Sequence, residues 1–179
     1  MAVMESKEVL RQFRKIEQFA KDCGLEGYII EENPALPLHS LLLGIPGEVE
    51  EGHYIVCNLM PIDEEEARYT HFLHMFYQIP YDAGGLDKLD LLTAVNAVNS
   101  VTTVGHFVYQ EMEEEKVRIQ FRCTVSFDIE EEMNGSTICE CADFMLQYGA
   151  MMEEILAGLV SGMDLETILE SEGLSGEEE

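Results

Sequence analysis

Basic residues are scarce in this chain of 179 residues, which has 10 lysines and arginines against 36 aspartates and glutamates. The formal net charge is −26, and residues 1–23 contribute almost none of the negative excess. A field of this sign repels nucleic-acid phosphates and anionic membrane surfaces, although it also favours solubility. We therefore expect neither nucleic acid nor a membrane as a partner.

Long apolar runs and secretion signals are also missing. No stretch of about 18 apolar residues occurs, so no membrane-spanning helix is expected. The charged residues Glu5, Lys7 and Glu8 open an amphipathic pattern instead of the apolar core of a signal peptide. The five cysteines are odd in number and lie in apolar contexts, which predicts reduced, buried thiols in a cytoplasmic protein.

Signatures of catalysis and cofactor binding are absent as well. The sequence has no G-x-S-x-G, P-loop or G-x-G-x-x-G motif, and the Gly84–Gly85 pair lacks the Lys-Ser/Thr that a phosphate loop requires. With 36 carboxylates, adjacent acidic residues are expected by chance and do not indicate acid–base catalysis. We therefore expect a protein that is not an enzyme, without a cofactor or catalytic residues.

One segment, 117–127, alternates without fault between apolar and polar residues. Its apolar members are Val117, Ile119, Phe121, Cys123, Val125 and Phe127. Because the side chains of a strand point alternately to opposite faces, this strand has one dry face and one wet face. That arrangement predicts an antiparallel sheet with a single covered face.

The preceding strand is predicted to pair with it in a hairpin whose loop is 113–115. This register places Phe107 opposite Phe121 and Tyr109 opposite Ile119, so that every large aromatic lies on the dry side. On the wet side, Gln110 then faces Arg118 and His106 faces Arg122. We expect these polar residues and the nearby acidic residues to neutralise the two arginines locally.

The remaining elements follow from periodicity and from chain breakers. Helices are predicted over about 5–23, 86–100 and 137–160, and strands over 54–60 and 69–79, while 25–45 supplies at most one further strand. The inward positions of the second helix are expected to be Leu89, Leu92, Val95 and Val98. The predicted fold class is α+β, an antiparallel sheet with helices packed on one face, in the order helix, two or three strands, helix, two strands, helix. Residues 1–160 form the expected single domain, and 161–179 a short helix with an acidic tail.

Histidine and cysteine pairs are the only candidate metal ligands. On a strand, His71 and His74 point to opposite faces, whereas on a helix they would be neighbours and Glu64, Glu65 or Glu66 could add oxygen ligands. The helical alternative therefore leaves open a small-ligand or metal-binding protein, or an enzyme, that uses the two histidines. The thiols of Cys139 and Cys141 lie about 200° apart on a helix, which disfavours a shared ion and favours core positions.

The third predicted helix carries more apolar surface than packing on one sheet requires. One apolar stripe consists of Cys141, Met145, Met152, Leu156 and Leu159, and a second consists of Phe144, Tyr148, Met151 and Ile155. Together they cover close to half of the helix circumference. Either the first helix covers the surplus, or the second stripe is a candidate protein interface, since methionine and aromatic patches suit adaptable binding.

Three sequence features together indicate a family. They are the run FLHMFYQIPYD at 72–82, the helix that ends in NAVN at 96–99, and GHFV at 105–108. With these features the chain resembles the YbjN-like bacterial proteins, whose fold is similar to that of type III secretion chaperones. The resemblance implies the order αβββαββα and a non-enzymatic regulator or chaperone-like binder, often dimeric, with no catalytic residues. The apolar run 38–45 and the acidic tail depart from the pattern.

These observations favour a cytoplasmic, non-catalytic protein-binding module, regulatory or chaperone-like, that acts as a homodimer. Its protein partner or client is not identified by the sequence. The second stripe of the third helix is the predicted contact surface.

Overall fold

The computed structural model describes residues 4–63, 65–113 and 116–174, and only the backbone of Glu50. Its strands form one six-stranded antiparallel sheet in the order β1-β2-β3-β4-β6-β5. The strands are β1 (Glu26–Ile30), β2 (Ser40–Gly44), β3 (Tyr54–Leu59), β4 (Thr70–Gln78), β5 (His106–Glu111) and β6 (Val117–Asp128). The helices are α1 (Ser6–Asp22), α2 (Lys88–Val101), α3 (Gly135–Val160) and α4 (Leu165–Ser171). The α+β class and the antiparallel sheet are thus confirmed.

The predicted order αβββαββα lacks one strand, because the described chain runs αββββαββα and is followed by the short helix α4. The segment 25–45, which we expected to supply at most one strand, supplies both β1 and β2. Ser40–Gly44 is almost fully buried and pairs with β1 on one side and β3 on the other, so its apolar run is an inner strand. The short helix α4 was expected, and Asp164 caps it by accepting a hydrogen bond from the Thr167 N–H at 3.2 Å.

The hairpin register agrees with the sequence-based prediction. Phe107 pairs with Phe121, and their rings meet edge to face with centroids 4.6 Å apart. On the other face, His106 pairs with Arg122. Of the predicted loop, Glu114 and Glu115 lie outside the described residues. The strict alternation of β6 therefore predicted both its pairing and the orientation of its side chains.

All of the long helices pack on one face of the sheet, which also carries Tyr77 and Phe121. The ring of Tyr148 on α3 stacks on Phe121. Glu17 on α1 lies directly over Gly27 of β1, which leaves no room there for a larger residue. On β2, β3 and the middle of β4 and β6, the side chains of this inner face are buried, and Ile168 of α4 is buried in the same core. In the part of the chain that is described, no helix is long and apolar enough to cross a membrane.

Two side-chain orientations differ from the sequence-based expectation. Leu89 was predicted to face inward but is 71% exposed, because α2 turns Leu91, Ala94, Val95 and Val98 to the core instead. Small Ala94 and Leu91 belong to that face, whose centre lies about a quarter turn from the centre of the predicted face. The thiol of Cys23 was predicted to be buried but is exposed, since α1 ends at Asp22 and the chain turns away there.

Candidate protein-interaction face

The sheet face opposite the helices carries a row of apolar side chains. Tyr28, Leu42, Val56 and Phe76 are register partners across β1, β2, β3 and β4, and we call these four residues the apolar row. Tyr28 is 45% exposed, and the other three are half-buried. Strands lie about 4.8 Å apart, so the four side chains form one continuous patch. We call this side of the sheet the open face.

Basic groups continue the row on the next two strands. Phe76 pairs with Arg122 of β6, which pairs with His106 of β5. The Arg122 Nε donates a hydrogen bond at 2.7 Å to the Oε1 of Gln120, so a neutral neighbour holds the guanidinium. Burial, with a smaller contribution from the positive charge of Arg122, lowers the pKa of His74 on the same face. The open face therefore changes from apolar at β1 to basic at β5 in a protein whose net charge is −26.

A cavity of about 550 Å³ lies at the β1 end of the open face. It is lined by Tyr28 and Leu42 of the apolar row, and by Glu26, Gly47 and Val49. The side chain of Val49 lies against Gly44, where a Cβ would overlap it, so the turn at 49–51 closes this end of the face. The cavity gives the face a recess that could receive a side chain of a partner.

The edge strand β5 is closed near its start by a side chain. Asn99 near the end of α2 accepts a hydrogen bond from the Phe107 N–H at 2.6 Å and donates one to the Phe107 carbonyl at 3.1 Å. The carboxamide thus takes the place of a neighbouring strand at that residue, which protects the edge from pairing with another chain. Asn99 belongs to the NAVN sequence at 96–99 that was singled out in the family resemblance.

The predicted interface residues of α3 lie mostly within the fold. Ile155 is 0% exposed, whereas Phe144, Tyr148 and Met151 are half-buried. The Tyr148 hydroxyl accepts a hydrogen bond from the Thr103 N–H and donates one to the Val101 carbonyl, both at 3.1 Å. The end of α2 and the chain that follows it therefore cover part of the second stripe. A contact through Phe144 and Met151 stays a prediction.

His71 and His74, the candidate metal ligands, are not brought together in the structure. His71 and His74 lie on β4 and point to opposite faces, as the strand prediction required. His71 contacts the ring of Phe127, and His74 contacts that of Phe76. Of the nearby acidic residues, Glu64 lies outside the described residues. Within 4–63, 65–113 and 116–174, no three histidine, cysteine or acidic side chains are placed to hold a metal ion.

A polar cluster that the sequence did not reveal joins α3 to the sheet. The buried Tyr77 hydroxyl donates a hydrogen bond to Glu153 Oε1 at 2.6 Å and lies 3.0 Å from His53 Nδ1. Burial and the Glu153 carboxylate raise the pKa of Tyr77 far above its ordinary value, so the hydroxyl stays protonated near neutral pH. The protonated hydroxyl cannot act as a base there. Its contacts with Glu153 and His53 satisfy the hydrogen-bonding capacity of a buried group and fix the ring. These three residues lie far apart in the sequence, and no local motif predicts their contact.

A second cluster contains serine, histidine and glutamate but lacks the geometry of a nucleophile. His39 Nδ1 accepts the Glu32 backbone N–H at 2.8 Å, so in the neutral ring Nε2 carries the proton. That nitrogen lies 2.7 Å from Ser6 Oγ, which donates to Glu32 Oε1 at 3.0 Å. The imidazole therefore cannot accept the serine proton, as a catalytic base must. The cluster ties the start of α1 to the β1–β2 connection.

Part of the open face was visible in the sequence. The segments 54–60 and 69–79 show apolar residues on both faces, and for 69–79 this pattern indicates either a central strand or a strand beneath a partner. The structure confirms that β4 is a central strand, between β3 and β6. Because the register of β1 and β2 was unknown, the sequence could not align Tyr28 and Leu42 with Val56 and Phe76.

Comparison with known proteins finds a similarity in structure alone. No protein-family model matches the chain, and no curated protein matches it. Among solved structures, the chain is similar to the crystal structure of YbjN, a candidate transcription regulator from E. coli, with 10% sequence identity and a TM-score of 0.44. The similarity covers 84% of this chain and 92% of that one. Membership of the YbjN-like family stays a prediction.

Proposed function

We propose that the protein is a non-catalytic protein-binding module that forms a homodimer through the open face. The observation that carries this proposal is the apolar row, which crosses four adjacent strands on the side of the sheet that the helices leave partly exposed. Large contiguous apolar patches are rare on the surfaces of monomeric proteins, and where they occur they mark interaction sites. A regulatory or chaperone-like role in the cytoplasm, as the family resemblance implies, remains part of this proposal.

The size of the open face is compatible with a weak dimer. Six strands at about 4.8 Å spacing, with a mean length near 7 residues, give a face of roughly 24 by 24 Å, or about 600 Å². Two such faces bury on the order of 1,200 Å², which is the lower limit of standard interfaces. We therefore expect dissociation in the micromolar range.

The order of the strands makes the open face complementary to itself. A two-fold axis that runs along the strands between β3 and β4 places β3 over β4 of the second copy and β1 over its β5. Val56 then meets Phe76 of the second copy at the centre, and Tyr28 lies over its His106. Glu26 of β1 lies beside the same basic end. Each copy thus sets the acidic and aromatic end of its face against the basic end of the other.

Charge also explains why this face, among the surfaces of the protein, is suited to a second copy. Two chains of net charge −26 repel each other wherever acidic surfaces meet. On the open face, the strands β2, β3 and β4 contribute no acidic side chain, and β6 contributes Arg118 and Arg122 with one carboxylate, Asp128, at its far end. Added salt screens the remaining long-range repulsion. The dimer should therefore become tighter as the salt concentration rises.

A pair of matched double variants tests the proposal. Val56→Lys with Phe76→Lys places two charges at the centre of the proposed interface while it reduces the net negative charge of the chain. Phe144→Lys with Met151→Lys makes the same chemical change on the second stripe of α3. Circular dichroism and thermal unfolding establish that each variant is folded, and light scattering coupled to gel filtration gives its mass.

We expect the sheet variant to be monomeric and the helix variant to remain a dimer. A dimer that persists in the folded sheet variant would contradict the proposed interface. A folded sheet variant that stays dimeric while the helix variant becomes monomeric would assign the contact to Phe144 and Met151 instead.

A further inference from the structure

Arg118 of β6 is an exposed cation on the open face. It lies on the same side of the strand as Gln120 and Arg122, and its guanidinium forms no hydrogen bond or ion pair within the described residues. Arg122 differs, because it is half-buried and Gln120 holds its guanidinium. Of these two arginines, Arg118 is therefore the one whose charge can reach a second copy.

The opposite end of the open face holds a site that suits a guanidinium. The cavity of about 550 Å³ beside β1, which we call the recess, is lined by Glu26, Tyr28, Leu42, Gly47 and Val49. A carboxylate forms charge-assisted hydrogen bonds with arginine, and the face of a tyrosine ring attracts its positive charge. The recess thus combines an acidic group, an aromatic ring and apolar walls.

We propose that Arg118 of each copy enters the recess of the other copy and pairs there with Glu26. This inference rests on the proposed homodimer through the open face, and it adds the contact by which that face selects a second copy of the same chain. Because a two-fold axis relates the two copies, the contact occurs twice in each dimer. Each recess is incomplete until the second copy supplies its arginine.

The strand register supports this pairing. Gln120 of β6 lies at the level of Gly44, the last residue of β2, as follows from the pairs that join β2, β3, β4 and β6. Arg118 lies two residues farther in the same direction, at the level of the turn that contains Gly47. The two-fold axis between β3 and β4 places β6 of one copy over β2 of the other, so Arg118 lies over that turn, and Glu26 is on the neighbouring strand.

The spacing of strands and sheets also allows the contact. Adjacent strands lie about 4.8 Å apart, and facing sheets pack about 10 Å apart. Arginine and glutamate both have long side chains, so together they can span this separation. The Gly47 N–H donates a hydrogen bond to Glu26 Oε2 at 3.5 Å, which directs the carboxylate towards the turn over which Arg118 lies.

Burial at the interface makes this ion pair important for affinity. Inside the recess both charges lose contact with water, so the loss of one partner leaves the other charge uncompensated. Reversal of one charge goes further, because it places like charges together in both of the symmetric contacts. Reversal of both charges returns an arginine opposite a glutamate. The effect of each residue should therefore depend on the other.

The test exchanges the two charges between chains. Glu26→Arg brings two arginines together in both contacts of its own homodimer, and Arg118→Glu brings two glutamates together. A heterodimer of these two variants has an arginine opposite a glutamate in both contacts. Circular dichroism and thermal unfolding establish that each variant is folded. Fluorescence-detected sedimentation velocity then follows a labelled Glu26→Arg chain as unlabelled Arg118→Glu chain is added.

Glu140→Arg is the matched control for net charge. Glu140 is exposed on α3, on the helix side of the sheet, and its replacement changes the charge of the chain by the same amount as Glu26→Arg. Because it reduces the repulsion between two acidic chains, it should leave the dimer at least as tight as the wild type. A weaker dimer in Glu26→Arg alone therefore reports the contact and not the net charge.

We expect the dissociation constant of each reversed homodimer to rise at least about tenfold above that of the wild type. The mixture of the two variants should form heterodimers with an affinity within about threefold of the wild type. A single chain that carries both Glu26→Arg and Arg118→Glu should also dimerise like the wild type.

Two results would overturn the contact while they leave the dimer through the open face in place. One is a wild-type dissociation constant in both reversed variants. The other is a pair of weakened variants whose mixture stays monomeric, because the two residues then do not face each other. A wild-type chain that is monomeric at every concentration would instead overturn the homodimer and this contact together.

Discussion

Replacement of Gly149 by alanine tests how closely α3 packs on the sheet. Gly149 faces the ring of Tyr77, and a Cβ at this position would overlap Cε1 and approach Cδ1 to 2.7 Å. The ring cannot move aside easily, because Tyr77 is buried in a central strand and its hydroxyl is held by Glu153 and His53. Relief of the overlap therefore requires α3 to shift away from β4.

The expected change in the free energy of unfolding of Gly149→Ala is the balance of two effects. Alanine is favoured over glycine within a helix by about 1 kcal/mol, and overpacking of a rigid core costs about 1–3 kcal/mol. Because the Tyr77 ring is fixed, we place the cost at the upper end and expect a net loss of about 2 kcal/mol in the free energy of unfolding. With a urea m-value of about 2 kcal/mol/M, the midpoint should fall by about 1 M.

A matched control lies in the same helix. At Gly158 the new Cβ would meet the Cδ1 of Ile168 at 2.8 Å, which is the end of a flexible side chain on a short helix. Rotation of Ile168 can relieve that contact, so Gly158→Ala should keep the urea midpoint unchanged or raise it slightly. Urea unfolding followed by circular dichroism compares the two variants. Equal midpoints for Gly149→Ala and Gly158→Ala would refute the reasoning.

Three further predictions concern polar contacts. Asn99→Ala leaves the Phe107 N–H and carbonyl without their partner and should lower the free energy of unfolding by about 1–3 kcal/mol in urea titrations, whereas no loss would show that water replaces the side chain. Tyr77→Phe should lower the free energy of unfolding by about 1–2 kcal/mol in the same assay, and a change near zero would contradict the role of the hydroxyl. Burial lowers the pKa of His71 and His74 below the ordinary 6.5, so protonation of these side chains favours the unfolded chain. Their contribution to stability is therefore complete above about pH 6.5 and is lost as the pH falls through their lowered pKa values. The double variant His71→Gln, His74→Gln should therefore lose less stability than the wild type between about pH 7 and pH 5, and equal losses would contradict the assignment.

Elements with strong local patterns could be predicted from the sequence. The faultless alternation of β6 gave its faces, its sheet type and its register with β5, because a shift by one residue would expose every apolar side chain. The helix predicted over 137–160 agrees closely with α3, in which Asn134 accepts a hydrogen bond from the Thr137 N–H, as Asp164 does from the Thr167 N–H at the start of α4. These features depend only on residues close in the chain.

Elements that depend on distant partners could not be predicted in this way. The run 38–45 has no polar alternation, because β2 lies between β1 and β3, and its identity as an inner strand follows only from its neighbours. The alignment of the apolar row and the contact of Tyr77 with Glu153 both require the strand register.

The mass of the wild-type protein in solution, measured by sedimentation equilibrium over a range of concentrations and salt, tests the central claim most directly. If the open face binds a second copy, the mass should approach twice the 20.2 kDa of the chain at high concentration, fall towards 20.2 kDa on dilution, and shift towards the dimer as salt is added. A mass of 20.2 kDa at every concentration and salt level would contradict the account.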